Sequence, residues 1–136
     1  MRWFNKVEQA EIWERPIEGP IGDIEAAHRI REICRAAAGS AEKVGGSADR
    51  AGSQKRISDI EKGRRESERY ERAARAAMEI AMKVSDDLLR DAAVRQIVEL
   101  CLAARDTKTA RILFRAIQAA SIKQAVLTEH PALEEQ

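Results

Sequence analysis

The stretch GSAEKVGGSADRAGS, residues 39–53, contains one seven-residue pattern twice, first as GSAEKVG and then as GSADRAG. Small or apolar residues recur along it at alternating spacings of three and four, which is typical of a helix that packs against another helix. This small-residue seam begins before the repeat and comprises Cys34, Ala37, Ala41, Val44, Ala48 and Ala51. The repeat therefore decides whether the chain is one helical scaffold or two parts joined by a tether.

The glycines of the repeat oppose a helix. They are Gly39, Gly45, Gly46 and Gly52, and each costs about 1 kcal/mol relative to alanine inside a helix. Close packing of a Gly/Ala/Ser face lets two backbones approach, and the added contacts can offset this cost. A flexible Gly/Ser-rich linker is the alternative, and the sequence leaves both readings open. We expect a helical or tightly packed segment, because its small residues continue the seam.

Helical patterns occupy the sequence on both sides of the repeat. Asn5 and Glu8 resemble a capping box, and the apolar residues after them predict a short amphipathic helix that stops at Arg15 and Pro16. Four further helices begin at side chains that can cap a helix N-terminus. They are predicted to run from Asp23 through the seam, from Ser58 to Lys83, from Ser85 to about Arg105, and from Asp106 and Thr107 to about Thr128.

These patterns predict an all-α fold, a helical bundle of about five helices with long central helices and a C-terminal antiparallel helical hairpin. We expect a single domain over residues 1–136. Its parts are an N-terminal aromatic amphipathic segment (1–22), long helices around the Gly/Ser repeat (23–85), a helical hairpin (86–128) and a tail (129–136). On the first helix of the hairpin, Asp91, Arg95 and Glu99 stand one turn apart and predict an exposed polar ladder.

Composition limits the classes of protein to which the chain can belong. It has 24 basic and 23 acidic residues, so no overall field draws it toward nucleic acid or a membrane. The charged first residues are unlike a signal peptide, and no apolar run approaches the roughly 20 residues of a membrane span. Cys34 and Cys101 match no metal spacing and predict buried free thiols in a reducing compartment. We expect a cytoplasmic protein without a membrane span.

Residues with catalytic chemistry are few, and the chain has no motif of a phosphate-binding loop or of a nucleophilic serine. Glu25 and His28 form a Glu-x-x-His step that resembles the half-site of ferritin-like di-iron carboxylate proteins. That family needs a second such step and two further glutamates, which only a homodimer of this chain would supply. We predict a non-enzymatic protein with no cofactor and no bound metal, and keep a ferritin-like metal protein at a dimer interface as the third candidate.

A basic stripe runs along the last predicted helix. It comprises Lys108, Arg111, Arg115 and Gln118, with no acidic residue before Glu129. A basic helix that follows another helix and a short turn is typical of helix-turn-helix proteins. The turn here lacks the usual glycine, and Leu102 is bulky where the helices would cross. We expect a solvated basic face, and the alternative function is a nucleic-acid-binding regulator that uses Lys108, Arg111 and Arg115.

Three of the five aromatic residues fall within the first thirteen positions, as Trp3, Phe4 and Trp13. Tryptophan is enriched at binding hot spots, and a short amphipathic helix with three aromatics suits insertion into a partner's groove. The other reading is that this segment packs on its own bundle and fills space that alanine-rich helices leave. Both readings stay open, and these three residues are the predicted partner-binding site.

The two hairpin helices have narrow polar faces, so they carry more apolar surface than one contact within the chain can cover. We therefore predict an oligomer interface formed by Val94, Val98, Leu102, Ile112, Ile122 and Val126. The leading functional prediction is a helical interaction or scaffold protein that acts as a homo-oligomer and docks a protein partner.

Overall fold

The computed structural model describes residues 11–17, 19–49 and 57–134. These residues form helices α1 (Asp23–Asp49), α2 (Ile57–Ala81), α3 (Asp87–Ala103), α4 (Thr107–Ala116) and α5 (Ala120–Glu129), with 3₁₀ turns at Ile12–Glu14 and Pro131–Glu134. The described part of the chain contains no strand, which confirms the predicted all-α bundle of about five helices. Within this part, no helix combines the length and the apolar character that crossing a membrane requires.

Helices α1 and α3 run parallel, and α2 runs in the opposite direction from the end of α1 to the start of α3. Asp23 at the start of α1 bonds to Ser85, just before α3, while Gly45 near the end of α1 lies against Ala103 at the end of α3. The helix α2 packs most extensively on α1, and α4 runs antiparallel along α3. The largest fully buried side chains are Ile30, Ile33, Val84, Ile97, Val98, Cys101, Ile117 and Val126.

The Gly/Ser repeat is helical as far as the structure describes it. Helix α1 continues through Gly45 to Asp49, and residues 50–53 lie outside the described part. Ala37 and Ala41 of the small-residue seam are fully buried. A Cβ atom at Gly45 would overlap the backbone carbonyl oxygen of Ala103, so the two helices meet at backbone distance there. The helical reading of the repeat is therefore confirmed for residues 39–49.

This contact predicts opposite effects for two glycine-to-alanine changes in α1. Gly45→Ala should lower the free energy of unfolding by about 1–3 kcal/mol, because backbone must shift to accept the methyl group. The methyl group added by Gly39→Ala would meet open space. This change should raise the free energy of unfolding by about 0.5–1 kcal/mol, through helix propensity alone. Urea unfolding followed by circular dichroism measures both values. Equal effects of the two changes would contradict the close approach of α1 and α3.

The last predicted helix is two helices, which corrects the single helix expected from Thr107 to Thr128. Helix α4 ends at Ala116, Ile117 has extended backbone, and α5 begins at Ala120. The carboxylate of Asp91 in α3 accepts the backbone N–H groups of Gln118 and Ala119, at 3.1 and 2.8 Å. Those bonds replace the helical hydrogen bonds that a continuous helix would use. Asp91 is only 3% exposed, so the predicted exposed ladder of Asp91, Arg95 and Glu99 is wrong at its first member.

Three of the predicted helix starts are also corrected, and one of them is Ser58, which lies inside α2 because this helix already includes Ile57. Asp106 caps α4 as predicted, since its carboxylate accepts the N–H of Thr109 at 3.2 Å. Helix α3 is capped by Asp86 and not by Ser85. Asp23 is the first residue of α1, and its carboxylate bonds to the segment before α3. The predicted N-terminal helix falls mostly on residues 1–10, outside the described part, and its described end is the turn Ile12–Glu14.

The substitution Asp91→Ala should destabilise the fold far more than the replacement of an exposed aspartate by alanine. The change removes the buried carboxylate that accepts two part-buried N–H groups, which predicts a loss of about 3 kcal/mol in the free energy of unfolding. Asp87→Ala is the control, because Asp87 bonds at the surface to Arg90 of its own helix and should matter little. Chemical unfolding measures both. If the two variants are equally stable, Asp91 does not hold the break between α4 and α5.

Candidate functional site

An apolar surface remains exposed at one end of the bundle. It comprises Ile24, Met82, Leu88 and Leu89, which are 83%, 74%, 60% and 38% exposed. Ile24 lies in the first turn of α1, Met82 directly follows α2, and the two leucines lie in the first turn of α3. We call these four residues the apolar end. Single exposed apolar side chains are common, but four of them where two helices begin and a third ends mark a candidate contact surface.

The carboxylate of Asp23 holds this end together. It accepts the backbone N–H groups of Ser85 and Asp86 at 2.9 and 3.0 Å, and also the Ser85 hydroxyl at 3.0 Å. These bonds, first the one from the Ser85 N–H, lower the pKa of Asp23 below its ordinary value of 3.8. Asp86 in turn accepts the N–H of Leu89 at 2.9 Å. The starts of α1 and α3 are thus joined by polar bonds, and the apolar side chains beside them remain exposed.

Charges of both signs surround the apolar end. Lys83 follows Met82 and is exposed, and Asp86 is exposed beside Leu88. Asp87 forms an ion pair with Arg90 at 2.6 Å, within the first turn of α3. The surface therefore has an apolar group with both a cation and an anion at its border.

The predicted partner-binding aromatics are corrected in part. Trp13 is buried, and the Arg69 guanidinium lies 5.2 Å from the centre of its ring. Arg69 also donates to Glu11 and to the Ser40 hydroxyl, so the segment before α1 is fastened to α1 and α2. Trp13 therefore packs on its own bundle, because the alanine-rich helices leave room for the indole ring. Trp3 and Phe4 lie outside the described residues.

The predicted oligomer interface is also corrected. Three of its residues are buried inside the chain, namely Val94, Val98 and Val126. The break after α4 returns α5 onto α3, and this contact covers the side of α3 that a straight hairpin would expose. Leu102 and Ile122 are half-buried against the core, while Ile112 alone of the predicted set is largely exposed, at 56%.

The predicted basic stripe does not form one row of exposed cations. Lys108 and Arg115 are exposed, but Arg111 is half-buried and donates to the carbonyl of Ala132 at 3.5 Å. The Nε atom of Arg111 is buried without a hydrogen-bond partner. Arg111 thus helps to fasten the segment after α5, and only the two outer residues of the predicted contact set face solvent.

The two thiols and the Tyr70 phenol hold their protons more tightly than they would in water. Burial raises the pKa of Cys34 to about 12, with a smaller contribution from Cys101, and burial raises the pKa of Cys101 to about 11. Tyr70 donates to Asp106 at 2.7 Å, and burial raises the pKa of its phenol. Both thiols are free, as predicted; Cys101 is buried and Cys34 half-buried. These shifts are opposite to those that activate a nucleophile.

The described residues that could hold a metal ion are Glu99, Glu129 and His130, whose ligand atoms all lie within 4.8 Å of one another. No motif in the sequence indicates this group, because Glu99 lies thirty positions before Glu129 and only the tertiary fold brings them together. The Glu-x-x-His step is not assembled in the same way. His28 pairs with Glu32 at 3.3 Å, one turn further along α1, and Glu25 is exposed.

No protein-family model, curated protein or solved structure matches the chain. Its own surfaces must therefore indicate its function. Among the described residues, the apolar end indicates a contact surface, and the group of Glu99, Glu129 and His130 indicates a metal site.

The polar bonds beneath the apolar end predict a pH dependence of stability. Asp23 has a lower pKa in the folded chain, so its stabilising contribution is complete above the ordinary pKa of 3.8 and is lost as the pH falls through the folded value. Asp23→Asn should be less stable than the wild type at neutral pH, and the difference should shrink in acid. Thermal unfolding across pH measures it, with Glu25→Gln on the same helical turn as control. If the stability difference between the wild type and Asp23→Asn stays constant as the pH falls below 3.8, the bonds of the Asp23 carboxylate are not its cause.

Proposed function

We propose that this chain is a non-enzymatic helical interaction protein that forms a homo-oligomer, and that two copies meet through the apolar end. The observation that carries the proposal is the exposure of four large apolar side chains at one end of the bundle, in the first turns of α1 and α3 and directly after α2. This surface replaces the interface predicted around Val94, Val98 and Val126, which the fold already covers.

The energy available at the apolar end is of the right order for association. Burying a large apolar side chain contributes about 1.5–3 kcal/mol. Ile24, Met82 and Leu88 are at least 60% exposed, so two copies supply six such side chains, and the gain is of the same order as the estimated cost of association, roughly 4–15 kcal/mol. A specific interface covers about 800 Å² on each partner, so the apolar end would form its centre and charged residues its border.

The charges at the border suit a second copy. A two-fold interface brings the same surface of two chains together, so it must be complementary to itself. Lys83 and Asp86 supply one exposed cation and one exposed anion in the segment between Met82 and Leu88. In a two-fold arrangement, Lys83 of one copy can lie near Asp86 of the other, and no buried charge is left without a partner.

The remaining parts of the proposal have separate support. A non-enzymatic role is favoured by the raised pKa values of Cys34 and Cys101, which keep both thiols protonated at neutral pH. A cytoplasmic location is favoured by the same thiols being unpaired, since an oxidising compartment promotes disulfides. The nucleic-acid alternative is weakened by Arg111, which is half-buried and donates to the carbonyl of Ala132.

Charge placed in the apolar end should dissociate the oligomer without unfolding it. Leu88→Glu and Met82→Glu each replace an exposed side chain, so helix content and unfolding of the isolated chain should change little. Sedimentation velocity should show the wild type as an oligomer at micromolar concentration and both variants as monomers, with the dissociation constant raised at least about tenfold. Ile112→Glu is the matched control, because Ile112 is 56% exposed but lies on α4, outside the apolar end.

Three results would contradict the proposal. The first is a wild-type monomer throughout the micromolar range, and the second is dissociation by Ile112→Glu to the same degree as by Leu88→Glu. The third is a monomer that binds DNA or RNA in a salt-dependent manner and loses that binding in a Lys108→Ala, Arg115→Ala variant. That result would favour the nucleic-acid regulator instead.

A further inference from the structure

Three side chains with metal-binding atoms meet where α5 ends against α3. Glu99 lies in the last part of α3, Glu129 is the last residue of α5, and His130 follows it. The His130 Nε2 atom lies 3.2 Å from a Glu99 carboxylate oxygen and 4.0 Å from one of Glu129. All three ligand atoms lie within 4.8 Å of one another. The side chains are between about one third and one half exposed, so an ion can reach them from solvent.

The backbone fixes the position of the histidine. The His130 N–H donates to the carbonyl of Val126 at 2.8 Å, which closes the end of α5. The Leu133 N–H donates to the His130 carbonyl at 3.1 Å, and the Leu133 side chain is buried in the core. His130 is therefore held on both sides by ordered structure, next to a helix that carries Glu99. The group is part of the tertiary fold, since its members come from two separate elements.

We propose that Glu99, Glu129 and His130 bind one divalent transition-metal ion, with the chemistry of Zn²⁺. An imidazole nitrogen with carboxylate oxygens is a donor set that zinc accepts, whereas Mg²⁺ and Ca²⁺ prefer oxygen alone. Ligand atoms at about 2.0–2.2 Å from a tetrahedral zinc lie about 3.5 Å from one another. The His130–Glu99 distance of 3.2 Å is already this short, and the His130–Glu129 distance of 4.0 Å needs only a small side-chain rotation, which a half-exposed site permits. Water fills the fourth position.

Each of the two glutamates already has a partner within the chain. Arg95 donates to Glu129 at 3.3 Å, and His130 interacts with Glu99 at 3.2 Å. These contacts hold the two carboxylates near each other despite their like charge. A divalent ion supplies the positive charge in their place, and it links α3 to the end of α5. Arg95 thus competes with the ion for Glu129.

The site is independent of the proposed oligomer. Glu99 lies in the last part of α3, whereas Leu88 and Leu89 lie in its first turn. A chain that does not bind the metal can therefore still associate through the apolar end, and a monomeric chain can still bind the ion.

Titration of ZnCl₂ alone into the full-length, untagged chain tests the proposal by isothermal titration calorimetry. We expect one ion per wild-type chain, and binding at least about tenfold weaker in Glu99→Gln and in His130→Ala. His28→Ala is the matched control. It removes the other histidine of the chain, which pairs with Glu32 on α1, and should leave the affinity unchanged. Arg95→Gln should tighten binding, because it frees Glu129.

Nuclear magnetic resonance gives a second readout that does not depend on affinity. Zn²⁺ should shift the ring signals of His130 and leave those of His28 in place. Glu99→Gln keeps size and shape at a half-exposed position, so it tests the site even if His130→Ala disturbs the end of the chain. The proposal fails if Zn²⁺ does not bind in tenfold molar excess. It also fails if His28→Ala weakens binding as much as His130→Ala, or if both Glu99→Gln and Arg95→Gln leave the affinity unchanged.

Discussion

The close approach of α1 and α3 at Gly45 is the contact on which the arrangement of the bundle depends. A side chain at this position would overlap the Ala103 carbonyl, so the helices can meet there only because glycine has no Cβ atom. With the far ends of the two parallel helices in contact, their near ends lie close enough for Asp23 to reach Ser85 and Asp86. Gly45 thus lowers the intrinsic stability of α1 as a helix, and the contacts of α1 with α2 and α3 offset that loss.

A second constraint, the buried carboxylate of Asp91, determines what the C-terminal part covers. Its bonds to Gln118 and Ala119 end one helix and start another, so α5 returns along α3. Val98 then becomes core, and His130 arrives beside Glu99. One polar side chain in an apolar interface therefore both removes a candidate interaction surface and assembles a candidate metal site. Such a residue specifies a structure because each unpaired N–H group in the interior would be costly.

The features that could be predicted from the sequence are those that depend on neighbours in the chain. The periodic seam through Ala37 and Ala41 predicted a packed helix, and Asp106 was recognised as a cap, because both patterns are local. The break between α4 and α5 has no such signal, since residues 117–119 include no glycine or proline. It depends on Asp91, which lies more than twenty positions away. Helical periodicity shows which residues are apolar, but only the tertiary fold shows which of them stay uncovered.

The polar bonds at the apolar end also explain why its exposed side chains suit a contact. A helix start carries backbone N–H groups without helical partners, and burying these groups against another protein costs free energy. At α3, Asp86 accepts one of them from Leu89, and Asp23 accepts those of Ser85 and Asp86 just before the helix. In the proposed dimer, a second copy that covers Leu88 would bury apolar surface next to three N–H groups, those of Ser85, Asp86 and Leu89, that already have acceptors within the chain. The same bonds that hold α1 and α3 together would thus lower the cost of the proposed association through this end.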